Sequence, residues 1–283
     1  MKQSKEVKIL NYLDNYNNCL TTPYEQLNKS LQGGFKKGTS TLFAGLSGSG
    51  QSKFINSLIV GMLDSELDID IIHLSFNDSP IKRKVGLALN KSKSSLDNYN
   101  KELLNDWLEY YSSKSIVYNE DMLSTIKILE LCMNFTDKKG YVVLIIEDIF
   151  NIQKINEKND FDLSASIVEL VNTLKKHNFV VICTNRFNTD IEKEVRVLNP
   201  NFHHAVRSDI YNGNYIFNAF NNVYSFHNPR LLNIASYGTD KRDTKGLIHI
   251  RKLKASEGKL SNIWLNNVLN SGHYTEPENS LNI

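Results

Sequence analysis

Residues 45–52 constrain the fold of this chain more than any other segment. They read Gly-Leu-Ser-Gly-Ser-Gly-Gln-Ser and match the phosphate-binding loop pattern G-x-x-x-x-G-K-S/T except at the lysine position, where Gln51 stands. The apolar run 41–44 comes just before the loop, and apolar residues recur every four positions over residues 54–62 just after it. The sequence therefore predicts a strand, a glycine-rich turn and a buried helix, which is the context in which such a loop binds phosphate.

The chemistry expected of this loop depends on its backbone N–H groups and on two side chains. Glycines let the N–H groups turn inward onto phosphate oxygens, and the following helix presents its N-terminus to the same anion. Ser52 is placed to bind Mg²⁺, whereas Gln51 offers a neutral hydrogen bond where lysine offers a charged one, about twice as strong. We therefore expect weaker γ-phosphate binding and weaker stabilisation of the transition state. The alternative interpretation is that residues 45–52 form a glycine-serine turn that binds no ligand. The candidate nucleotide-binding residues of the loop are Gly45, Ser47, Gly48, Ser49, Gly50, Gln51 and Ser52.

Two adjacent acids follow the continuous apolar run 141–146, which is typical of a buried parallel strand. A carboxylate at this point can hold the water shell of a magnesium ion, which is the Walker B role. We assign the nucleotide-linked Mg²⁺ to Asp148, because Glu147 is expected to point to the opposite side of the strand. Glu147 is kept as a candidate catalytic residue. A solvent-facing acid is the alternative, and the phosphate loop upstream favours the metal role.

Two further strand ends carry polar residues. The apolar strand 69–75 runs into residues 75–79, where Asp78 could orient an attacking water if its side chain faces the nucleotide. A polar turn that caps a helix starting near Pro80 is an equally good interpretation. Asn185 follows the apolar strand 179–183 and is a candidate sensor of the γ-phosphate.

Strand and helix patterns alternate along the chain until about residue 211, after which short strand patterns gather. The sequence predicts helices over residues 80–115 and 162–177, with Leu87, Leu89, Leu103, Leu104 and Trp107 in the core. It then predicts strands joined by hairpins at residues 222–226, 247–253 and 263–265. This order favours an α/β fold with a mainly parallel sheet, helices on both faces and an antiparallel C-terminal edge.

Composition restricts the class of protein. The 283 residues contain no run of the roughly 18 to 20 apolar residues that a membrane helix needs, and the N-terminus lacks the features of a secretory signal. Cys19, Cys132 and Cys183 are expected to be reduced thiols, with Cys183 in the core, so we expect a cytoplasmic protein. Abundant Asn with scarce Ala and Pro hints at an AT-rich genome, such as that of a phage in its bacterial host. The net charge of +2 means that any DNA contact must come from local basic clusters.

These segments, in this order, resemble the C-terminal motor domain of DnaB-type replicative helicases, which are hexameric members of the RecA superfamily. The resemblance covers roughly residues 20–270 and rests on motif order. Its segments are residues 22–38 before the first strand, the phosphate loop, residues 74–79, residues 146–151, and the closing strands 222–226 and 246–254. The resemblance implies a RecA-like phosphate-loop domain at residues 21–274, a linker-like helix within residues 1–20 (amphipathic over 5–16) and a flexible tail at 275–283.

The resemblance also implies roles for individual residues. The family's catalytic glutamate falls at Asn77, although related KaiC-type proteins have two adjacent acids there, which keeps Asp78 as a candidate. Asn185 falls where the family has a glutamine. Lys252 and Lys254 fall where the family sends a lysine and an arginine finger into the neighbouring subunit's ATP. Gln51 in place of the loop lysine would by itself suit an engineered trapping mutation. The three altered positions together, Gln51, Asn77 and Lys254, indicate natural loss of hydrolysis.

The stretch 186–215 corresponds to loops that line the family's central channel and grip one DNA strand. Its basic residues alternate with His203, His204 and Tyr211, a composition that suits single-stranded DNA, because bases stack on aromatic rings. Acidic neighbours offset the charge, and an ordinary solvated loop is the alternative. The candidate DNA-binding residues are Arg186, Lys193, Arg196 and Arg207. The two adjacent histidines have no third ligand at metal-site spacing.

The resemblance therefore implies a DnaB-type helicase homologue that binds ATP with Mg²⁺ and single-stranded DNA during DNA replication, with weak or lost hydrolysis. It would form a homo-oligomeric ring or filament, contact other replication proteins and have no membrane association. Two alternatives remain open: a non-catalytic scaffold or assembly subunit that keeps the fold for protein contacts, and a RecA-like recombinase.

Overall fold

The structure, a computed structural model, describes residues 18–65, 67–76, 78–119, 121–155, 157–256, 258–268 and 273–277. The helix expected at residues 5–16, Asn77 and the tail beyond residue 277 lie outside these residues. Within the part of the chain that is described, no helix is long and apolar enough to cross a bilayer.

Helices and strands alternate as expected through the first two thirds of the chain. The helices are α1 (Glu25–Ser30), α2 (Gln51–Leu63), α3 (Pro80–Lys91), α4 (Lys101–Ser112), α5 (Thr125–Met133), α6 (Asp160–Lys176), α7 (Glu194–Leu198) and α8 (Gly213–Ile216). The strands are β1 (Ser40–Gly45), β2 (Ile69–Ser75), β3 (Ile116–Asn119), β4 (Tyr141–Glu147), β5 (Val180–Arg186), β6 (Asn222–His227), β7 (Ser236–Tyr237), β8 (Arg242–Asp243), β9 (Leu247–Ala255), β10 (Asn262–Val268) and β11 (His273–Thr275). The sequence pattern had not indicated β3 and α5.

The described strands form one nine-stranded sheet in the order β11-β10-β9-β6-β1-β5-β4-β2-β3, with β7 and β8 in a separate ribbon. All pairs from β6 to β3 are parallel. Strands β9, β10 and β11 add an antiparallel edge. The predicted fold class is therefore confirmed. One detail differs, because β6 was expected to belong to a hairpin and instead also pairs in parallel with β1.

The sheet separates two hydrophobic layers. Leu42 and Leu144 face a cluster that contains the apolar side of α6, whereas Phe43 and Val143 face a second cluster that contains the apolar side of α2. Successive residues of a strand point to opposite faces, so fully buried strands of this kind have apolar residues at consecutive positions. Helices therefore cover both faces of the sheet, as predicted.

Most of the expected core residues are buried. Leu87, Leu89 and Leu104 are buried, and so is Cys183, but Leu103 is 41% exposed because it lies on the outer side of α4. The prediction for Leu103 was therefore wrong. Cys19, Cys132 and Cys183 are free thiols.

Four parallel strands end at the same edge of the sheet. Gly45, Ser75, Glu147 and Arg186 are the last residues of β1, β2, β4 and β5. Gly45 lies beside Arg186, and Ser75 lies beside Glu147, in the strand register. The carboxyl ends of parallel strands are where α/β folds bind ligands. The topology alone therefore brings the phosphate loop and the strand-end polar residues together.

Candidate functional site

A cleft of about 460 Å³ opens at this edge of the sheet. It brings together most of the residues that the sequence predicts for nucleotide binding, together with one that the sequence did not indicate. The lining consists of residues 45–53, Ser75, Asp78, Arg83, Glu147, Asp148, Thr184, Asn185 and Arg186.

The backbone of the loop is shaped for an anion. Gly48 and Gly50 have φ values of 78° and 99°, in the left-handed region that favours glycine. A Cβ on Gly48 would meet nothing within 4 Å, so the loop is open at that point. The first N–H groups of α2 have no acceptor within the helix. Ser49 is 2% exposed, and its Oγ has no hydrogen-bond partner among the described residues. The loop thus offers a phosphate group backbone donors and an unpartnered hydroxyl.

Gln51 does not point its amide at this phosphate site. Its Nε2 donates to the backbone carbonyl oxygens of Phe43, at 3.1 Å, and Asn185, at 3.2 Å. An amide nitrogen carries two hydrogens, so both are used to join the loop to the ends of β1 and β5. Gln51 would have to break these bonds before it could donate to a phosphate oxygen.

Glu147 is the carboxylate that contacts the phosphate loop. Its Oε2 accepts from Ser52 Oγ at 2.6 Å. Its Oε1 lies 2.7 Å from His73 Nε2 and 2.8 Å from an Arg83 nitrogen. Burial by itself would raise the pKa of Glu147, but the hydrogen bonds and charges of His73 and Arg83 and the Ser52 hydroxyl outweigh it and leave the pKa lowered. Glu147 is therefore an anion at neutral pH.

The assignment of Asp148 as the partner of Ser52 is corrected by this geometry. Asp148 lies beyond the end of β4, at a φ of 50°, so the regular alternation of the strand does not extend to it. Its carboxylate pairs with Arg186 at 3.3 Å, and its N–H donates to Thr184 Oγ1 at 2.8 Å. Burial raises the pKa of Asp148, and the charge of Arg186 offsets only part of this effect. Asp148 lines the cleft without a described contact to Ser52.

Arg83 is the functional residue that the sequence analysis missed. It is 4% exposed, and its guanidinium lies 2.6 Å from Ser75 Oγ and 2.8 Å from an oxygen of each of Asp78 and Glu147. The sequence analysis treated residues 80–115 as a polar-rich helix and did not single out its charges. A usable signal was its place in the first turn of a helix that follows directly on a strand ending at the site.

Asp78 lines the cleft, which its predicted role in orienting an attacking water requires. However, its Oδ1 pairs with Lys82 and its Oδ2 pairs with Arg83. Both carboxylate oxygens of Asp78 therefore form ion pairs in this structure. The helix cap is the neighbouring Ser79, whose Oγ accepts from the N–H of Lys82 at 3.3 Å.

Of the two Mg²⁺ ligands that the sequence predicts, Ser52 contacts Glu147 and Asp148 is engaged by Arg186. Mg²⁺ prefers octahedral oxygen ligands and is usually held by one or two carboxylates. Here Ser52 donates its hydrogen to Glu147, and the other oxygen of Glu147 already accepts from two nitrogen groups, one of them the Arg83 cation. The second expected ligand, Asp148, is paired with Arg186. The donor set expected at Ser52 and Asp148 is therefore not assembled.

Lys252 cannot play the role that the sequence predicted for it. It is 1% exposed, its Nζ donates to the carbonyl of Ser30, and its ammonium lies over the ring of Tyr224. The strand register shifts between Val223 and Tyr224, which pair with Lys254 and Lys252. The prediction that Lys252 faces a neighbouring subunit is wrong, because Lys252 follows the alternation of the buried Ile248 and Ile250 along β9 and so points into the interior.

Lys254 is also held by its own chain. Its Nζ donates to the carbonyls of Phe217 at 3.1 Å and Asn218 at 3.2 Å. Burial, followed by the nearby charges of Lys175 and Arg207, lowers the pKa of Lys254. Lys254 would have to leave these carbonyls to act on another subunit.

The stretch 186–215 is ordered by its own polar contacts. Arg196 forms two bonds to the carboxylate of Asp209, at 2.9 and 3.0 Å, and also donates to the carbonyls of Phe202 and His204. Asp209 is 1% exposed. Arg196 is therefore engaged within its own stretch in this structure, and the groups that it would offer to DNA are bonded to Asp209 and to two carbonyls.

The other candidates in this stretch differ in their availability. Arg186 and Arg207 are both exposed. Arg186 stacks on Tyr211 and pairs with Asp148, whereas Arg207 stacks on Phe217. Lys193 is exposed and pairs with Asp190.

The aromatic residues expected to stack on bases are mostly used inside the protein. His203 is buried and bonds to the backbone of Val197 and Gly238, and the Tyr211 hydroxyl donates to Asp160. The exposed aromatic rings are instead Phe202 and Tyr215.

Asn185 is 1% exposed and faces the backbone. Its Nδ2 donates to the carbonyl of Tyr211 at 2.9 Å, and its Oδ1 accepts from the N–H of Arg186. Asn185 therefore lines the cleft while its side-chain amide joins β5 to the following loop.

Comparison with known proteins adds evidence for the fold. No protein-family model matches the sequence, and no curated protein matches it. Among solved structures, one described as an ATPase domain superposes with a TM-score of 0.79 at 12% identity, over 98% of this chain and 100% of that one. A DnaB-like replicative helicase, described with its interactions with primase, superposes with a TM-score of 0.76 at 12% identity, over 98% of this chain and 68% of that one. The chain therefore has the RecA-like fold of DnaB-type motor domains.

Proposed function

We propose that this protein is a DnaB-type helicase homologue that binds the phosphates of ATP in the cleft but hydrolyses ATP slowly or not at all. The observation that carries the proposal is the phosphate loop itself, which has open glycine geometry and an unpartnered Ser49 hydroxyl but no lysine. The fold, with its ligand edge at the carboxyl ends of four parallel strands, supports the same role.

Slow hydrolysis follows from the state of the groups that would perform it. Phosphoryl transfer depends on positive charge at the phosphates and on a group that orients the attacking water. Gln51 is neutral and bonded to backbone carbonyls, and Asp78 is paired with Arg83 and Lys82. Neither side chain is in a state to serve the reaction.

We expect ATP turnover below about 1 per second, the lower end for enzymes, with or without single-stranded DNA. Gln51→Lys should tighten ATP binding about tenfold, because a charged contact to the phosphates replaces bonds to backbone carbonyls. Phosphate release and calorimetric titration with ATP measure the two quantities.

Gln153→Lys provides the matched control, since it adds the same charge at an exposed position outside the cleft. It should leave ATP affinity unchanged. Turnover within the usual enzyme range of roughly 1 to 1000 per second would refute the loss of hydrolysis.

We further propose that the protein acts in DNA replication, alongside other replication proteins, as a head-to-tail homo-oligomer that binds single-stranded DNA. The exposed cations Lys193 and Arg207, with the exposed rings of Phe202 and Tyr215, are the groups that support DNA binding by residues 186–215. Phosphate contacts and stacking suit single strands without sequence preference. A ring or filament would repeat this surface in each subunit and raise affinity through effective concentration.

The double variant Lys193→Ala with Arg207→Ala should bind labelled oligothymidine more weakly. Its log–log salt slope should be smaller by about 1.4, from two phosphate contacts at about 0.7 each. Fluorescence anisotropy at several salt concentrations gives the slope, and light scattering on the same samples gives the assembly mass. Lys101→Ala with Lys127→Ala, two exposed lysines outside this stretch, is the control. An unchanged slope would exclude these residues, and a strict monomer with nucleotide and DNA would exclude the oligomer.

The scaffold function is favoured by one observation. Arg83 forms ion pairs with both Asp78 and Glu147, so the charged side chains of the cleft bond to one another within the chain itself. A protein that binds neither ATP nor single-stranded DNA would be assigned to this class.

A further inference from the structure

We propose that the cleft binds the phosphates of its ligand without a divalent cation, and that Arg83, paired with Glu147, supplies the positive charge that a metal ion would otherwise bring. This inference rests on the proposed nucleotide binding and adds the chemistry of the site. It makes Arg83 a ligand-binding residue for phosphate.

The first argument concerns the oxygens of Glu147. A carboxylate offers about four lone-pair positions, and three are occupied here. Ser52 Oγ is bonded to Oε2, while His73 Nε2 and Arg83 share Oε1. The remaining position is on Oε2, and a metal ion there would share one carboxylate with the Arg83 guanidinium, whose charge already pairs with it.

The second argument concerns charge. An arginine side chain keeps its charge throughout the usable pH range, and its planar group forms paired hydrogen bonds with phosphate oxygens. Arg83 is buried and lies 2.8 Å from an oxygen of Asp78 and of Glu147. By pairing with both acids, it reduces the repulsion that they would exert on an entering phosphate. In a metal-dependent site a cation brought with the ligand would do this.

The third argument concerns position. Arg83 and Ser52 contact the two oxygens of one carboxylate, so the guanidinium lies close to the first turn of α2. The unpartnered Ser49 hydroxyl lies in the same loop and lines the same cleft. A phosphate held by the loop would therefore be near Arg83, whereas the amide of Gln51 is bonded to the backbone.

The test is calorimetric titration of the full chain with ADP and with inorganic pyrophosphate, in excess EDTA and in excess MgCl₂. We expect the Kd for each ligand to agree within about threefold between the two conditions, and Arg83→Gln to weaken binding in EDTA at least about tenfold. Lys84→Gln removes the neighbouring charge on α3 from a residue that does not line the cleft, and it should bind as the wild type does. Circular dichroism confirms that each variant is folded.

Glu147→Gln keeps the test decisive if Arg83→Gln does not fold. The neutral side chain removes an anion from the cleft and releases Arg83 from one of its two acids, so binding in EDTA should be at least as tight as in the wild type. Weaker binding by Glu147→Gln in EDTA, or wild-type binding that needs Mg²⁺, would overturn the inference and leave the proposed nucleotide binding intact. A wild-type protein that binds neither probe in either condition would overturn the proposed function and this inference with it.

Discussion

Replacing Arg196 with alanine is expected to lower the free energy of unfolding by about 3–5 kcal/mol, the cost of leaving a buried charge without its partner. Asp209 is 1% exposed, and both of its carboxylate oxygens bond to the Arg196 guanidinium. The same guanidinium donates to the carbonyls of Phe202 and His204, so the variant also loses the contacts that hold these turns together.

Urea denaturation followed by circular dichroism measures this loss of stability. Lys193→Ala is the matched control, because Lys193 lies in the same stretch but forms only an exposed ion pair with Asp190. Exposed pairs contribute about 0–1 kcal/mol, so the control should change little. If Arg196→Ala unfolds at nearly the wild-type urea concentration, the Arg196 pair is not what orders residues 186–215.

The features that the sequence predicted correctly depend on neighbours along the chain. Consecutive apolar residues mark β4 as a strand buried on both faces, and the glycine spacing of residues 45–52 marks the turn between β1 and α2. The parallel direction of neighbouring strands then follows from the alternation of strands and helices. These local patterns were sufficient to place the phosphate loop and the strand-end residues in one cleft.

The features that the sequence could not supply depend on which distant groups meet. Arg83 belongs to the site because it pairs with Glu147, which is far along the chain. Arg196 is held in place because it pairs with the buried Asp209. A charged residue has the same sequence signature in either role. The predicted side-chain direction was wrong at Asp148, where the backbone departs from the regular strand β4. It was also wrong at Lys252, which lies on the same face of β9 as the buried Ile248 and Ile250.

Acid is expected to destabilise this protein well before its carboxylates are protonated, because histidines are buried in neutral form. His227 and His249 are each 1% exposed, and burial is the first cause that lowers the pKa of each to about 3. Their rings surround Tyr237 with those of His203 and His204, at centroid distances of 5.3–5.5 Å. Repulsion from neighbouring histidines and from Arg196 or Arg251 lowers the pKa values further.

The direction of the pH effect follows from proton binding. Between the ordinary histidine pKa of 6.5 and the folded value of about 3, the unfolded chain binds more protons than the folded one. The stabilisation is therefore complete above pH 6.5 and is lost progressively as the pH falls towards 3. One pKa unit corresponds to about 1.4 kcal/mol, so each of the two histidines should lower the free energy of unfolding by about 2 kcal/mol at pH 5 relative to pH 8.

The dependence on His227 can be isolated by substitution. Neither ring nitrogen of His227 has a hydrogen-bond partner among the described residues, so His227→Leu should be tolerated at pH 8 and should remove about 2 kcal/mol of the loss at pH 5. Urea denaturation at both pH values measures the difference. His177→Leu makes the same change at an exposed position after α6 and should keep the wild-type dependence. Equal pH dependence in the wild type and His227→Leu would show that His227 is not the group whose neutral burial limits stability in acid.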